Sequence, residues 1–199
     1  MRIIAGDFKG RNLRAPKGMD TRPTTDRVKE SFISSLISAY GPLEGAHVLD
    51  AFAGSGALGI ECLSRGAESA VFFERDKAAL DALRANIDML KLPAERARVR
   101  PVDVLATPPV YGAPFDIVIL DPPYAYPTED IWAFVLTLRD RGMLADGAVI
   151  SYEHHSKTDA VGFIESTGVP VEIRASKVFG KSKTGFDLFS LESTTASAE

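Results

Sequence analysis

The chain has 199 residues, 45% of them hydrophobic and 25% charged, with a formal net charge of −4 and one cysteine, Cys62. That length suits one domain, and no run approaches the roughly 18 apolar residues of a membrane span. The N-terminus, Met1-Arg2-Ile3-Ile4-Ala5-Gly6-Asp7, lacks the apolar stretch of a signal peptide, and a lone cysteine excludes an internal disulfide, so a cytoplasmic location is expected.

The charge is unevenly spread. Residues 1–29 carry eight Lys/Arg against three Asp, a balance of +5, so the remaining residues carry −9. An acidic body with a basic head can present one basic surface to a phosphate backbone.

In chain order, residues 2–5 and 11–14 read as two short strands joined by a turn around Asp7 to Gly10. Pro16 to Thr24 reads as a loop. A helix is expected from Asp26, with Thr25 as its N-cap and Val28, Phe32, Ile33, Leu36 and Ile37 as one apolar stripe. From His47 strands and helices alternate: strands at 47–51, 69–74, 97–102, 115–120 and 147–152, helices at 57–65, 76–91 and 128–140. That alternation is the pattern of a doubly wound parallel sheet. Residues 170–178 and 185–192 then read as an antiparallel pair, because the link between them is too short for a crossover. The small, polar stretch 193–199 is expected to be a disordered tail.

Asp50-Ala51-Phe52-Ala53-Gly54-Ser55-Gly56-Ala57-Leu58-Gly59 follows the first core strand and opens a helix. Gly54, Gly56 and Gly59 match G-x-G-x-x-G, and Glu74 lies twenty residues after Gly54, placed to accept ribose hydroxyls. A dinucleotide dehydrogenase would carry the same glycines and the same acid. Asp50 tilts the choice toward S-adenosylmethionine, because a carboxylate there can bind the methionine ammonium and would repel a pyrophosphate. Asp103 is expected to end the third strand and reach an adenine amino group; ordinary solvation at a strand end explains it nearly as well.

Asp121-Pro122-Pro123-Tyr124 closes the apolar run Phe115 to Leu120, at the sheet edge where ligands of α/β proteins bind. Two prolines fix φ twice and remove two N–H donors, leaving a stiff turn with a carboxylate, free carbonyls and an aromatic face. Such a turn suits a base carrying an exocyclic amine. Asp121 can accept one N–H, the Pro122 carbonyl the other, and Tyr124 can stack on the ring. Orientation and preorganised electrostatics are then the catalytic terms, and no histidine base is required. His47, His154 and His155 show no metal-ligand spacing with Cys62, so no metal is expected. A base must be unpaired or flipped to reach such a pocket, and Lys9, Arg11, Arg14 and Arg22 are natural phosphate contacts. Phe8 is expected to pack on the domain.

These stretches, together with Ile4-Ala5-Gly6-Asp7-Phe8-Lys9-Gly10-Arg11 and Arg22-Pro23-Thr24-Thr25-Asp26-Arg27-Val28-Lys29-Glu30, resemble the RsmD-type methyltransferases over roughly residues 2–192. The resemblance implies a Rossmann-like class I fold: α/β, a mostly parallel seven-stranded sheet with its last strand antiparallel, and a small N-terminal β-hairpin. It implies three parts: a basic hairpin and loop over 1–25 that grips RNA, a methyltransferase domain over 26–192, and the tail. S-adenosylmethionine is the implied donor, and the N2 amine of a guanine in 16S ribosomal RNA, within the assembled or assembling small subunit, the implied acceptor. By motif position Asp50, Gly54, Gly56 and Glu74 fall in the cofactor site, with Phe52 and Asp103 as further candidates there, Asp121, Pro122, Pro123 and Tyr124 form the catalytic turn, and Arg22 to Thr25 approach the cofactor or cap the helix. A monomer without metal or membrane is expected. Pro108, Pro109 and Pro114 depart from the short helix usual at 104–114. Adenine-N6 or other nucleic-acid amino-methylation, a non-catalytic RNA-binding assembly factor and a nicotinamide-dependent dehydrogenase are the rival readings.

Overall fold

Seven strands form one sheet: β1 (His47–Asp50), β2 (Ser69–Phe73), β3 (Ala97–Arg100), β4 (Phe115–Leu120), β5 (Leu144–His155), β6 (Val171–Phe179) and β7 (Thr184–Leu191). Their spatial order is β3-β2-β1-β4-β5-β7-β6. Pairings are parallel from β3 through to β5, and β7 runs antiparallel to both β5 and β6. Helices α1 (Asp26–Tyr40), α2 (Ala57–Ser64), α3 (Lys77–Met89), α4 (Thr128–Asp140) and α5 (Ala160–Ser166) cover its faces. The computed structural model describes residues 1–16, 26–179 and 183–192, excepting the side chains of Asp26 and Arg27. Arg22, the Thr25 cap and the tail therefore lie outside the described residues.

Central strands covered on both faces read as continuous apolar runs, and β4 follows that rule. Phe32, Ile33 and Leu36 of α1, Ile60 and Leu63 of α2 and Leu83 and Ile87 of α3 join Val48, Phe72 and Ile117 in one core. Ile131, Phe134 and Leu138 of α4 and Ile164 of α5 join Leu49, Val118 and Tyr152 in the other. Strand order reverses between β1 and β4, so the crevice for a ligand opens at their carboxyl ends.

The N-terminal segment departs from the expected two strands. Its pairing narrows to one antiparallel bridge, Arg2 with Asn12, flanked by backbone bonds from Ile3 to Arg11 and Leu13 to Met1. Several of its other backbone groups bond to the domain. Glu61 of α2 accepts from the backbone N–H groups of Ile4 and Ala5, and Ser64 from those of Asp7 and Phe8. Asn86 of α3 exchanges two bonds with the Arg14 backbone. Gly6, at φ +81°, comes so close to α2 that a Cβ would sit 1.7 Å from the Ser64 carbonyl oxygen. Phe8 packs on the core, as expected.

Two elements escape the sequence pattern. β5 starts at Leu144, before an Asp146-Gly147 pair that reads as a turn, and a register shift against Phe115 to Ile117 absorbs the extra residues. α5 is seven residues long with a central glycine, too short for a periodic signal; Asp159 caps it by accepting from Gly162 N–H at 2.9 Å. β3 ends at Arg100, so Asp103 lies beyond the strand and not at its end. At 104–114 one helical turn survives, closed by Thr107 N–H donating to the Asp103 carbonyl.

Candidate active site

A cleft of about 1190 Å³ opens over the carboxyl ends of β1, β2 and β4. Asp50, the last residue of β1, forms its floor at 2% exposure, and its Oδ2 accepts from Gly59 N–H at 3.0 Å. Burial pushes its carboxyl up to about 7; the Gly59 bond opposes this, and the charges of Asp121 and Glu74 add to it. A carboxylate so placed is stabilised by a cation entering the cleft.

The three glycines differ in duty. Gly54 lines the cleft at φ +54° with open space where a Cβ would be. Gly56, at φ +80°, lies behind the loop, where a Cβ would meet Leu83 at 2.4 Å. Gly59 lets α2 approach, since a Cβ there would sit 2.5 Å from the Phe72 ring. Gly54 and Gly56 need the left-handed conformation, which costs other residues dearly.

Glu74 follows β2 directly. One carboxylate oxygen accepts from Gly54 N–H at 2.8 Å, and the other from Arg75 and Asp76 N–H, both at 2.7 Å. Three backbone donors leave roughly one of its four acceptor positions for a ligand, fewer than a grip on both ribose hydroxyls needs. Asp103 lines the cleft, held by the Arg75 guanidinium and by Leu105 N–H.

Asp121 to Tyr124 leave β4 on the same rim. Tyr126 N–H donates to the Pro123 carbonyl at 3.0 Å and closes the turn. Pro122 is buried, while Pro123 and Tyr124 are exposed. The Tyr124 ring stands edge-on to His155, with centroids 5.5 Å apart, and its hydroxyl donates to Thr184 Oγ1 at 3.4 Å. Tyr126 packs at 5.8 Å from Phe52, with the Arg75 guanidinium 5.8 Å from its ring centre. An aromatic bridge thus joins the glycine loop to the proline turn. Sequence reading missed Arg75, Tyr126 and Glu153 in this cleft; the tyrosine beside Pro127 was the legible signal.

The cleft therefore gathers Asp50, Phe52, Gly54, Glu74, Asp103 and all four residues of the turn. Lys9, Arg11 and Arg14 are exposed and stand outside it, though Met1, Ala15 and Pro16 of the same segment form part of its wall. Among the described residues, no group of three His, Cys, Asp or Glu is arranged to hold a metal ion, and no helix is long and apolar enough to cross a membrane. Cys62 is buried, which raises its thiol above the usual range.

A family model described as "Conserved hypothetical protein 95" matches residues 1–186. Ribosomal RNA small subunit methyltransferase D of Escherichia coli is 40% identical over 153 residues, 77% of this chain and 74% of its own. This chain belongs to the RsmD family. YlbH of Bacillus subtilis is 39% identical over 162 residues, 80% of this chain and 85% of its own. The solved structure of yhhF from Escherichia coli superposes with a TM-score of 0.76 at 35% identity, covering 96% of this chain and 98% of that one. The fold is that of a class I methyltransferase, and the protein is an RNA methyltransferase. RsmD membership sets aside the dehydrogenase and the non-catalytic readings.

Proposed function

We propose that this enzyme methylates the N2 amine of a guanine in small-subunit ribosomal RNA, using S-adenosylmethionine. The observation that carries the reading is the shared cleft: Asp50 and the Gly54 loop at one end, the Asp121-Pro122-Pro123-Tyr124 turn at the other.

The residues present fit such a donor. Asp50 offers a buried carboxylate to an ammonium, Gly54 leaves its loop open, and Glu74 and Asp103 add acceptors along the adenosine side. Phe52 supplies an apolar flank. When bound, the donor supplies an electrophilic methyl on a sulfonium. The chain's own work is orientation. A guanine amine has its lone pair delocalised into the ring and becomes nucleophilic only as the nitrogen pyramidalises. Asp121 accepts one N–H, the Pro122 carbonyl accepts the other, and Tyr124 stacks on the base, together aiming the lone pair at the methyl. The methylated amine then loses its proton to water.

The base must leave its stack, which favours loops and unpaired nucleotides. Lys9, Arg11 and Arg14, on a segment anchored to Glu61 and Asn86, are the proposed phosphate grip, and Arg22 would extend it. The methyltransferase D name of the Escherichia coli relative supports the small-subunit assignment.

The test is methyl transfer to small subunits lacking this modification, followed by nucleoside mass spectrometry and mapping. N2-methylguanosine is the expected product; N6-methyladenosine would replace guanine with the rival base.

A further inference from the structure

Glu153 lies near the end of β5, is 9% exposed, and lines the cleft. Register fixes its neighbour. Ile119 of β4 pairs with Ser151 and Leu120 with Tyr152, so the next step along both chains sets Asp121 beside Glu153. Side chains alternate across a strand. Tyr152 belongs to the core under α4 and α5, which sends Glu153 to the opposite face, the face that carries Asp50. Continuing the register by one residue thus brings the buried Glu153 next to the half-buried Asp121, the carboxylate assigned to the reacting amine.

The chemistry of the bases gives that pairing a meaning. The adenine amine is flanked by N1 and the cytosine amine by N3, both acceptors, while guanine N2 is flanked by the N1–H donor. Guanine alone among RNA bases offers a ring N–H directly beside an exocyclic amine. We propose that Glu153 is a specificity-determining residue that accepts guanine N1–H while Asp121 accepts from N2. This rests on the guanine-methylation reading above. Adenine or cytosine in the same pose would press a lone pair against the carboxylate. A carboxylate offers about four acceptor positions, and the proposal gives one of those of Glu153 to guanine N1–H.

The test compares two bases at the mapped nucleotide, in small subunits reconstituted with ligated RNA carrying guanosine or 2-aminopurine riboside. Both have the 2-amino group, but 2-aminopurine has an N1 acceptor. The wild-type enzyme is expected to favour guanosine by about tenfold or more in kcat/KM. Glu153→Gln, whose amide can donate, is expected to lose most of its guanosine activity and to hold or gain on 2-aminopurine, with S-adenosylmethionine affinity unchanged. An unchanged preference, or equal loss on both bases, overturns the assignment of Glu153 while leaving guanine methylation intact. A wild-type enzyme that makes no N2-methylguanosine removes the guanine reading itself, and this inference with it.

Discussion

Lys29 Nζ lies 2.9 Å from Glu61 Oε2, with both side chains fully enclosed. The pair joins α1 to α2 and reaches further, since Lys29 also donates to the Arg2 carbonyl, and Glu61 also accepts from Ile4 N–H, Ala5 N–H and Arg65 Nε. The N-terminal segment is thus fastened to a buried charge, Lys29, near the end of the stretch Arg22 to Glu30. Breaking such a pair strands an uncompensated charge, so Glu61→Gln should cost about 3–5 kcal/mol in denaturant unfolding. Lys29→Met with Glu61→Leu should recover part of that loss, because the enclosed Lys29 charge goes with its partner and Arg65, the other cation on Glu61, is partly exposed to water. Equal losses in the single and double variants would show that the charges are not the source.

Asp121→Ala should lower turnover by about 100-fold or more while leaving donor affinity nearly intact, the pattern of a group that acts on the reacting amine. Single-turnover methyl transfer and calorimetric titration of S-adenosylmethionine separate the two quantities. Turnover near the wild-type value would remove Asp121 from the chemistry.

Asp50 links donor binding to pH. Its carboxyl stands at about 7 against an ordinary 3.8, so between those values the native state holds a proton that the unfolded chain has released. On its account stability declines as pH rises through that window. A bound cation favours the carboxylate, so S-adenosylmethionine affinity should rise with pH up to about 7 and then level. Calorimetry across that range should show the rise, and Asp50→Asn should bind weakly with a flat profile.

His154 presents both ring nitrogens to acceptors, Nε2 to Asp187 Oδ2 and Nδ1 to the His155 carbonyl, each at 2.9 Å. Burial opposes its charge, but the Asp187 hydrogen bond, the His155 carbonyl and the Asp187 charge outweigh it and raise its pKa. The stability it contributes is therefore complete below the ordinary histidine value of 6.5 and is lost as pH rises through the raised one. Denaturation midpoints of wild type and His154→Gln should differ most in mild acid and converge in alkali. A gap independent of pH would mean that the imidazolium contributes nothing.

Arg11 and Arg14 are exposed on the anchored segment. If they meet phosphates, replacing both by Gln should weaken subunit binding most at low salt. The slope of log affinity against log salt should become shallower by about one unit per residue. Filter binding over a salt series reads both effects, and an unaltered slope would assign the RNA grip elsewhere.

Much of this molecule could be read from local pattern. β1, β2 and β4 appear as apolar runs because both their faces are covered, and the glycine loop and proline turn are legible because each needs special backbone geometry within a few residues. α5 and the first three residues of β5 were illegible because a seven-residue helix and an Asp-Gly step inside a strand carry no periodic signal of their own.

The sequence by itself determined the sheet's alternating plan, the glycine loop and the stiff turn at the end of β4, because those depend on torsional preference and hydrophobic period along the chain. Only the tertiary structure decided what meets what. Lys29 finding Glu61, Glu74 accepting from Gly54 N–H, and Tyr152 pairing with Leu120 all join residues distant in sequence. Such meetings follow from strand order and register, and no local periodicity encodes them.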